Sequence, residues 1–229
     1  MTPQPWNRAG WILLAATLLF PPLLQAESTL IFPRVSFEPD VLTGLALVNP
    51  TSQQAVVTLT AYGTDGQPLS GTGVTNPAKI TVPANQQAAK LTYELFGMSI
   101  DPATIAWVRG TSPVNEVTGF FLFLNSSVTV MDGADLPTAT QKAVFNLVRV
   151  DSGYSTELNI VNPGDKAANA QLQLAGSGLT PVSKPLSIPA KGMVRADVAT
   201  LFDSADIPTA AYIIVDSDVE LAGFELIKS

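Results

Sequence analysis

The sequence of 229 residues contains neither histidine nor cysteine, and only 14% of its residues are charged. Without these two side chains there is no imidazole or thiolate ligand for zinc, no disulfide, and no serine or cysteine nucleophile activated by histidine. The chemistry left open uses carboxylates, hydroxyls, lysine or tyrosine, and no cofactor is expected. Because 46% of the residues are hydrophobic, the composition predicts a folded chain rather than a disordered one.

Basic residues are also scarce. The chain has 12 Lys and Arg against 19 Asp and Glu, which gives a net charge of −7 at pH 7. Proteins that bind nucleic acids carry a basic surface that neutralises phosphates. The charge balance therefore argues against a nucleic-acid partner.

Residues 1–26 have the pattern of a cleavable secretory signal peptide. A single basic residue, Arg8, precedes an apolar run from Ala9 to Leu24, and Ala26 supplies a small residue at the cleavage site. The run is 16 residues long, whereas a membrane-spanning helix usually needs about 20, so an uncleaved membrane anchor is the less favoured alternative. We expect a secreted or periplasmic protein whose mature chain has no membrane span.

The rest of the chain contains two copies of one unit. When the sequence is shifted by 113 residues, Val48-Asn49-Pro50 falls on Val161-Asn162-Pro163 without a gap. The offset shortens to 106 and finally to 104, where Gly119-Phe120 meets Gly223-Phe224. An ordered series of matches of this kind indicates a duplication.

Within each copy, polar and apolar residues alternate with a period of two. Leu172 and Leu174 alternate with Gln171 and Gln173, and turn residues such as Asn49-Pro50 recur at short intervals. Many short strands separated by turns predict a sandwich or a barrel, and a copy of about 100 residues is a usual size for a β-sandwich.

The predicted architecture is therefore all-β, with two tandem immunoglobulin-like β-sandwich modules. We place the modules at residues 27–132 and 142–229, joined by a linker at 133–141. One short helical turn is expected in each module, at Thr92 to Phe96 and at Val198 to Phe202.

The repeated motifs resemble those of a known group of proteins. The pattern Thr-x-Leu-x-Leu/Ile-Val-Asn-Pro, followed by Leu-Phe and later by Gly-Phe, resembles tandem repeats of large secreted proteins from environmental bacteria. The resemblance covers nearly all of residues 30 to 229. It implies an extracellular immunoglobulin-like β-sandwich of bacterial origin, and it implies no activity and no site residues.

A short acidic segment is the candidate metal site. Asp216, Asp218 and Glu220 occupy alternate positions, so in an extended strand their carboxylates share one face and offer oxygens to Ca²⁺. The alternative is a solvated turn, which is favoured because Ca²⁺ needs six to eight oxygens and no EF-hand pattern is present.

The strand around Phe121 and Phe123 is the candidate interface, because it is apolar on both faces. In the second copy the same strand carries Glu225 and Lys228, while Phe224 is expected to keep the phase that faces the core. We expect Phe121 and Phe123 to be buried either by the second module, which is favoured, or by an unidentified partner.

A third aromatic position belongs to the expected core. Trp107 aligns with Ile213 at the offset of 106, and the two share a strand phase. We therefore predict that Trp107 is a core residue and not a surface on which sugars stack.

These features predict a protein without enzymatic activity. The expected function is that of a secreted or cell-envelope structural or adhesive binding module with a protein or envelope partner. One alternative is a periplasmic chaperone-like binder of two modules, which would bind subunits by strand addition. A less favoured alternative is a hydrolase that uses a pair of carboxylates in a cleft.

Overall fold

The structure of the protein is a computed structural model that describes residues 27–129, 131–151, 153–203 and 207–229. The predicted signal peptide, residues 1–26, lies outside these ranges. Within them, no helix has the length and apolar character needed to cross a bilayer.

The described residues form antiparallel strands with two short helices, which confirms the predicted all-β class. The first helix has the predicted bounds, and the second ends one residue earlier than predicted. The elements are β1 (Ser28–Val35), β2 (Val41–Asn49), β3 (Ala55–Gly63), β4 (Ala78–Val82), β5 (Gln86–Leu91), α1 (Thr92–Phe96), β6 (Ala106–Ser112), β7 (Thr118–Asn125), β8 (Met131–Asp135), β9 (Thr140–Val150), β10 (Ser155–Val161), β11 (Ala168–Gly176), β12 (Leu179–Ile188), β13 (Met193–Asp197), α2 (Val198–Leu201) and β14 (Ile207–Lys228).

The N-terminal half, residues 28–135, is a sandwich of two four-stranded sheets. The strand orders are β1-β6-β3-β4 and β5-β2-β7-β8. Burial alternates along the strands as the sequence pattern predicts, so that Val57 and Leu59 of β3 are fully buried. Their side chains join Phe32 and Leu45 in one core, which is the packing expected when two antiparallel sheets lie face to face.

The C-terminal half, residues 140–228, is built around the long strand β14. The first part of β14 pairs with β9 and β11, and its last part, from Ala222 to Lys228, pairs with β10. One strand thus belongs to two sheets. The core of this half includes Leu158, Leu172 and Ile213.

The strand order of the first half is repeated in the second. The series β9-β14-β11-β12 corresponds to β1-β6-β3-β4, and β13-β10-β14 corresponds to β5-β2-β7. This repeated order agrees with the duplication in the sequence. The predicted module boundaries stay a prediction, and β8 includes residues 133–135 of the predicted linker.

Candidate functional site

The two halves contact each other through one face of the sheet formed by β13, β10 and the end of β14. Every second residue of a strand lies on the same face of its sheet. The register places Val161 opposite Met193 at one end of this face and Glu157 opposite Asp197 at the other. The face is therefore apolar at one end and charged at the other.

At the apolar end, Trp107 of β6 packs under the C-terminal half. Its side chain is fully buried with Val161 and Met193, and its ring stacks on that of Tyr62 with centroids 5.2 Å apart. The indole Nε1 donates a hydrogen bond of 2.8 Å to the backbone oxygen of Lys191. Trp107 is therefore buried, as predicted, but between the halves and not inside its own sandwich.

The alignment of Trp107 with Ile213 is wrong by one residue. The strand register pairs Tyr62 with Trp107 and Ala175 with Tyr212, and Tyr62 and Ala175 are equivalent at the offset of 113. Trp107 therefore corresponds to Tyr212, a residue that is 37% exposed. A shift of one residue moves every side chain of a strand to the opposite face, which explains the difference.

At the charged end, a buried ion pair joins the halves. Nε of Arg34 in β1 lies 2.7 Å from Oε1 of Glu157 in β10, and the two side chains are 6% and 5% exposed. Arg195 and Lys228 contact the other oxygen of Glu157 at 3.0 and 3.5 Å. Asn159 donates a hydrogen bond of 3.1 Å to Oε1. One carboxylate thus holds three cations, of which one comes from the N-terminal half.

The protonation of Glu157 is set by two opposing effects. Burial raises the pKa of Glu157, but Arg34, Arg195 and the hydrogen bond from Asn159 together outweigh it and lower the pKa from 4.5 to about 2. Burial also lowers the pKa of the Arg34 guanidinium, against the opposing effect of Glu157. Both groups are charged at neutral pH, so each is the counter-ion that the other needs in the interior.

The predicted interface residues Phe121 and Phe123 lie in β7 next to this pair. Their ring centroids are 5.1 and 5.9 Å from that of Phe224 in β14, and the guanidinium carbon of Arg34 lies 4.6 Å from the Phe123 centroid. The sequence pattern placed Phe121 and Phe123 on the face of the strand opposite the core, and this assignment was wrong. Both residues belong to the core of the N-terminal half, with exposures of 0% and 7%. An external partner at this strand stays a prediction.

Glu225 occupies the position in β14 that corresponds to Phe121. Leu45 pairs with Phe121 in the first half, and its equivalent Leu158 pairs with Glu225 in the second. Burial raises the pKa of the Glu225 carboxyl, against the lowering effect of a hydrogen bond from the backbone of Leu147. Oε2 of Glu225 is shielded from water and has no hydrogen-bond partner among the described residues.

The candidate calcium ligands Asp216, Asp218 and Glu220 lie at exposed alternate positions of β14. Asp216 pairs with Lys142 at 3.0 Å, and Asp218 accepts hydrogen bonds of 2.8 and 2.9 Å from the backbone and side chain of Asn169. These bonds lower the pKa of Asp218. In the part of the chain that the structure describes, no group of three or more acidic side chains is arranged to hold a metal ion.

A cleft of about 620 Å³ opens between the halves. Its walls come from β1, β6 and β7, from residues 136–139, and from two segments of the C-terminal half, Pro163-Gly164 and Val219-Glu220. Arg109 of β6 lines the cleft and is half-buried. Nε of Arg109 is shielded from water, and no hydrogen bond or ion pair reaches this side chain from the described residues.

Other concave surfaces lie among the described residues. An open groove of about 860 Å³ crosses β12, β11 and β14 and is lined by polar side chains such as Gln171, Gln173 and Asp216. A smaller apolar pocket of about 300 Å³ lies near α1 and includes Phe37 and the exposed Met98.

Sequence reasoning missed Arg34, Glu157 and Arg109, three charged residues that lie between the halves. The duplication held a signal for the first two, because Arg34 falls on Leu147 and Glu157 falls on Gly44 at the offset of 113. A charge that replaces an apolar residue or glycine in the other copy marks a position where the two copies have different neighbours.

Among known proteins, matches to this chain are found in solved structures. No family model matches it, and no curated protein matches it. Among solved structures it is similar to the Anabaena sensory rhodopsin transducer, with 22% sequence identity over 40% of this chain and 84% of that chain, and a TM-score of 0.34. A likeness at this level carries no argument about function.

Proposed function

We propose that the protein is a secreted or cell-envelope binding or structural module of a bacterium and has no enzymatic activity. The observation that carries this proposal is the use of its buried charges. Arg34 and Glu157 lie between the halves and bind each other, with Arg195 and Lys228 around them. Their role is thus to hold the two halves together, which suits a scaffold that presents fixed surfaces.

The state of the other acidic groups also supports a non-catalytic role. A hydrolase of the carboxylate type needs one carboxyl with a raised pKa facing a second, ionised carboxylate. Glu225 has a raised pKa because it is partly buried, and the residue paired with it in the neighbouring strand is Leu158. Asp216 and Asp218 are engaged by Lys142 and Asn169 at the surface.

The proposal is tested by measuring whether the full chain is exported and whether it converts candidate substrates. Expression in a bacterium, followed by fractionation and mass spectrometry, is expected to give a periplasmic or extracellular chain that begins at Glu27. The variant Leu14→Arg, which interrupts the apolar run of the predicted signal peptide, is expected to retain the chain in the cytosol.

The exported protein is then incubated with oligosaccharide and peptide substrates, and we expect no product above the rate in buffer. Two results contradict the proposal. One is an unprocessed chain of full mass in the cytosol, and the other is hydrolysis that disappears in a Glu225→Gln variant.

The chaperone-like alternative has a separate test. Strand addition would protect the backbone amides of an edge strand such as β12, which pairs on one side with β11. Hydrogen exchange of the full chain with and without an envelope fraction would show this protection.

A further inference from the structure

We propose that the cleft between the halves is a binding site for a small molecule that carries one carboxylate together with hydroxyl or amine donors, and that Arg109 binds the carboxylate. The proposal rests on the proposed function, since it names the ligand chemistry of a binding module. The volume of about 620 Å³ lies within the range of small-molecule sites, about 300–1,000 Å³.

Arg109 differs from the other arginines of the described chain. Arg34 and Arg195 bind Glu157, and Arg149 binds Asp151. No carboxylate of the described residues forms a hydrogen bond with Nε of Arg109, although this atom is shielded from water. Leaving a buried donor unbonded destabilises the folded protein. A ligand that accepts this hydrogen bond recovers that free energy.

The guanidinium group favours a planar anion. Its parallel N–H groups match the two oxygens of a carboxylate, which allows bidentate binding. The cleft also contains the hydroxyls of Thr29, Thr118 and Thr138, which can bind other polar groups of the same molecule.

The acidic groups around the cleft restrict the charge of the ligand. Glu220 lines the same cleft. The hydrogen bond and ion pair with Lys191 are the main cause that lowers the pKa of Asp165, and Arg109 adds a smaller lowering effect, so Asp165 lies near Arg109 as well. A dianion such as sulfate would be repelled by these carboxylates. A single carboxylate attached to hydroxyl or amine donors satisfies Arg109 and also gives Glu220 a donor to accept from.

Two probes represent the sources of this chemistry. Galacturonic acid carries a carboxylate among hydroxyls, and the dipeptide alanyl-alanine carries a carboxylate and an amine. Each is titrated into the full chain while the Nε–H signals of the arginines are followed by NMR, with sodium sulfate as the anion control. The probe that binds more tightly identifies the source as saccharide or peptide.

We expect a saturable shift of the Arg109 signal with at least one of the two carboxylate probes. Binding should weaken at least tenfold in Arg109→Gln and should be unchanged in Lys79→Gln. Lys79 is the matched control, because it is an exposed cation on β4 of the same sheet and does not line the cleft. Arg109→Lys keeps the charge and loses the bidentate geometry, so it should weaken binding several-fold, and it tests the site if the Gln variant does not fold.

The proposal is overturned if neither probe gives a saturable shift, if Arg109→Gln binds as tightly as the wild type, or if sulfate binds as tightly as the carboxylates. If the proposed function is wrong but the Arg109 site is real, the experiments give a different result. In that case a probe is bound and chemically altered, or the chain is not exported, while the Arg109 site stands.

Discussion

At the scale of single residues, the carboxylate of Glu157 controls the contact between the halves. Removal of one partner of a buried ion pair costs about 3–5 kcal/mol, because the other charge is left in the interior. We expect Glu157→Gln to lower the free energy of unfolding by this amount, measured by denaturant titration. The double variant Arg34→Met, Glu157→Gln should recover part of the loss, and a double variant less stable than the single would contradict the role of the pair.

The same residue predicts a dependence of stability on pH. The pKa of Glu157 falls from 4.5 to about 2 on folding, so the folded state favours the ionised form. The stabilisation is complete above pH 4.5 and is lost as the pH falls towards 2. Unfolding measured from pH 6 to pH 2 should show this loss in the wild type, and the loss should be smaller in Glu157→Gln.

Glu225 predicts that stability depends on pH in the opposite direction. Its pKa is raised on folding, so ionisation destabilises the folded state, and stability is lost as the pH rises above the unfolded value near 4.5. We expect Glu225→Gln to stabilise the protein by about 0.5–2 kcal/mol at pH 7 and to have little effect near pH 3. A variant that is less stable than the wild type at pH 7 would contradict this account.

At the scale of elements, the pairing of β7 with β2 depends on a close approach at Gly119. A Cβ there would overlap the backbone oxygen of Ala46, which is held in the strand pair. Gly119→Ala should therefore cost about 1–3 kcal/mol. Gly44→Ala is the control, because a Cβ at this β2 position meets its nearest atom, of Leu91, at 3.8 Å. Equal thermal midpoints for the two variants would contradict the prediction.

The exposed acidic positions of β14 give a second comparison at this scale. Asp218 accepts two hydrogen bonds from Asn169 of β11, whereas Asp216 forms one exposed ion pair with Lys142. We expect Asp218→Ala to lower the thermal midpoint more than Asp216→Ala does, because Asp218 loses two hydrogen bonds and Asp216 only one solvent-screened ion pair. If the acidic segment binds calcium instead, added CaCl₂ will raise the thermal midpoint of the wild type but not of either variant.

At the scale of the whole molecule, the contacts between the halves predict cooperative unfolding. Phe224 of the C-terminal half packs against the core of the N-terminal half through Phe121 and Phe123. We expect a single calorimetric transition in the wild type. Phe224→Ser should lower the free energy of unfolding by about 2–4 kcal/mol and separate the single transition into two. Val144→Ser, at a 61% exposed position of β9, should do neither.

The sequence predicted what depends on local pattern and failed where distant parts of the chain meet. Strand alternation and the duplication predicted the all-β class and the bounds of α1. The counterpart of Trp107 was wrong, because a gap in the alignment leaves the register undetermined by one residue and burial then changes face. The alignment of Phe121 with Glu225 was right, and the error there was the face assigned to the core, because the C-terminal half has a carboxylate where the N-terminal half has a core phenylalanine. The Arg34 and Glu157 pair spans 123 residues, a separation that no local pattern reveals.

The continuity of β14 has a practical consequence for inserting foreign sequence. In the N-terminal half the corresponding strands β6 and β7 are separated by a turn at residues 113–117, where Asn115 and Glu116 are exposed. A tag or a reporter peptide placed between these two residues extends an existing turn. The same insertion near Val219 would interrupt the strand that joins two sheets and would alter the wall of the cleft. The N-terminal half is therefore expected to accept an insertion at this turn, whereas the C-terminal half is expected not to accept one at the equivalent position.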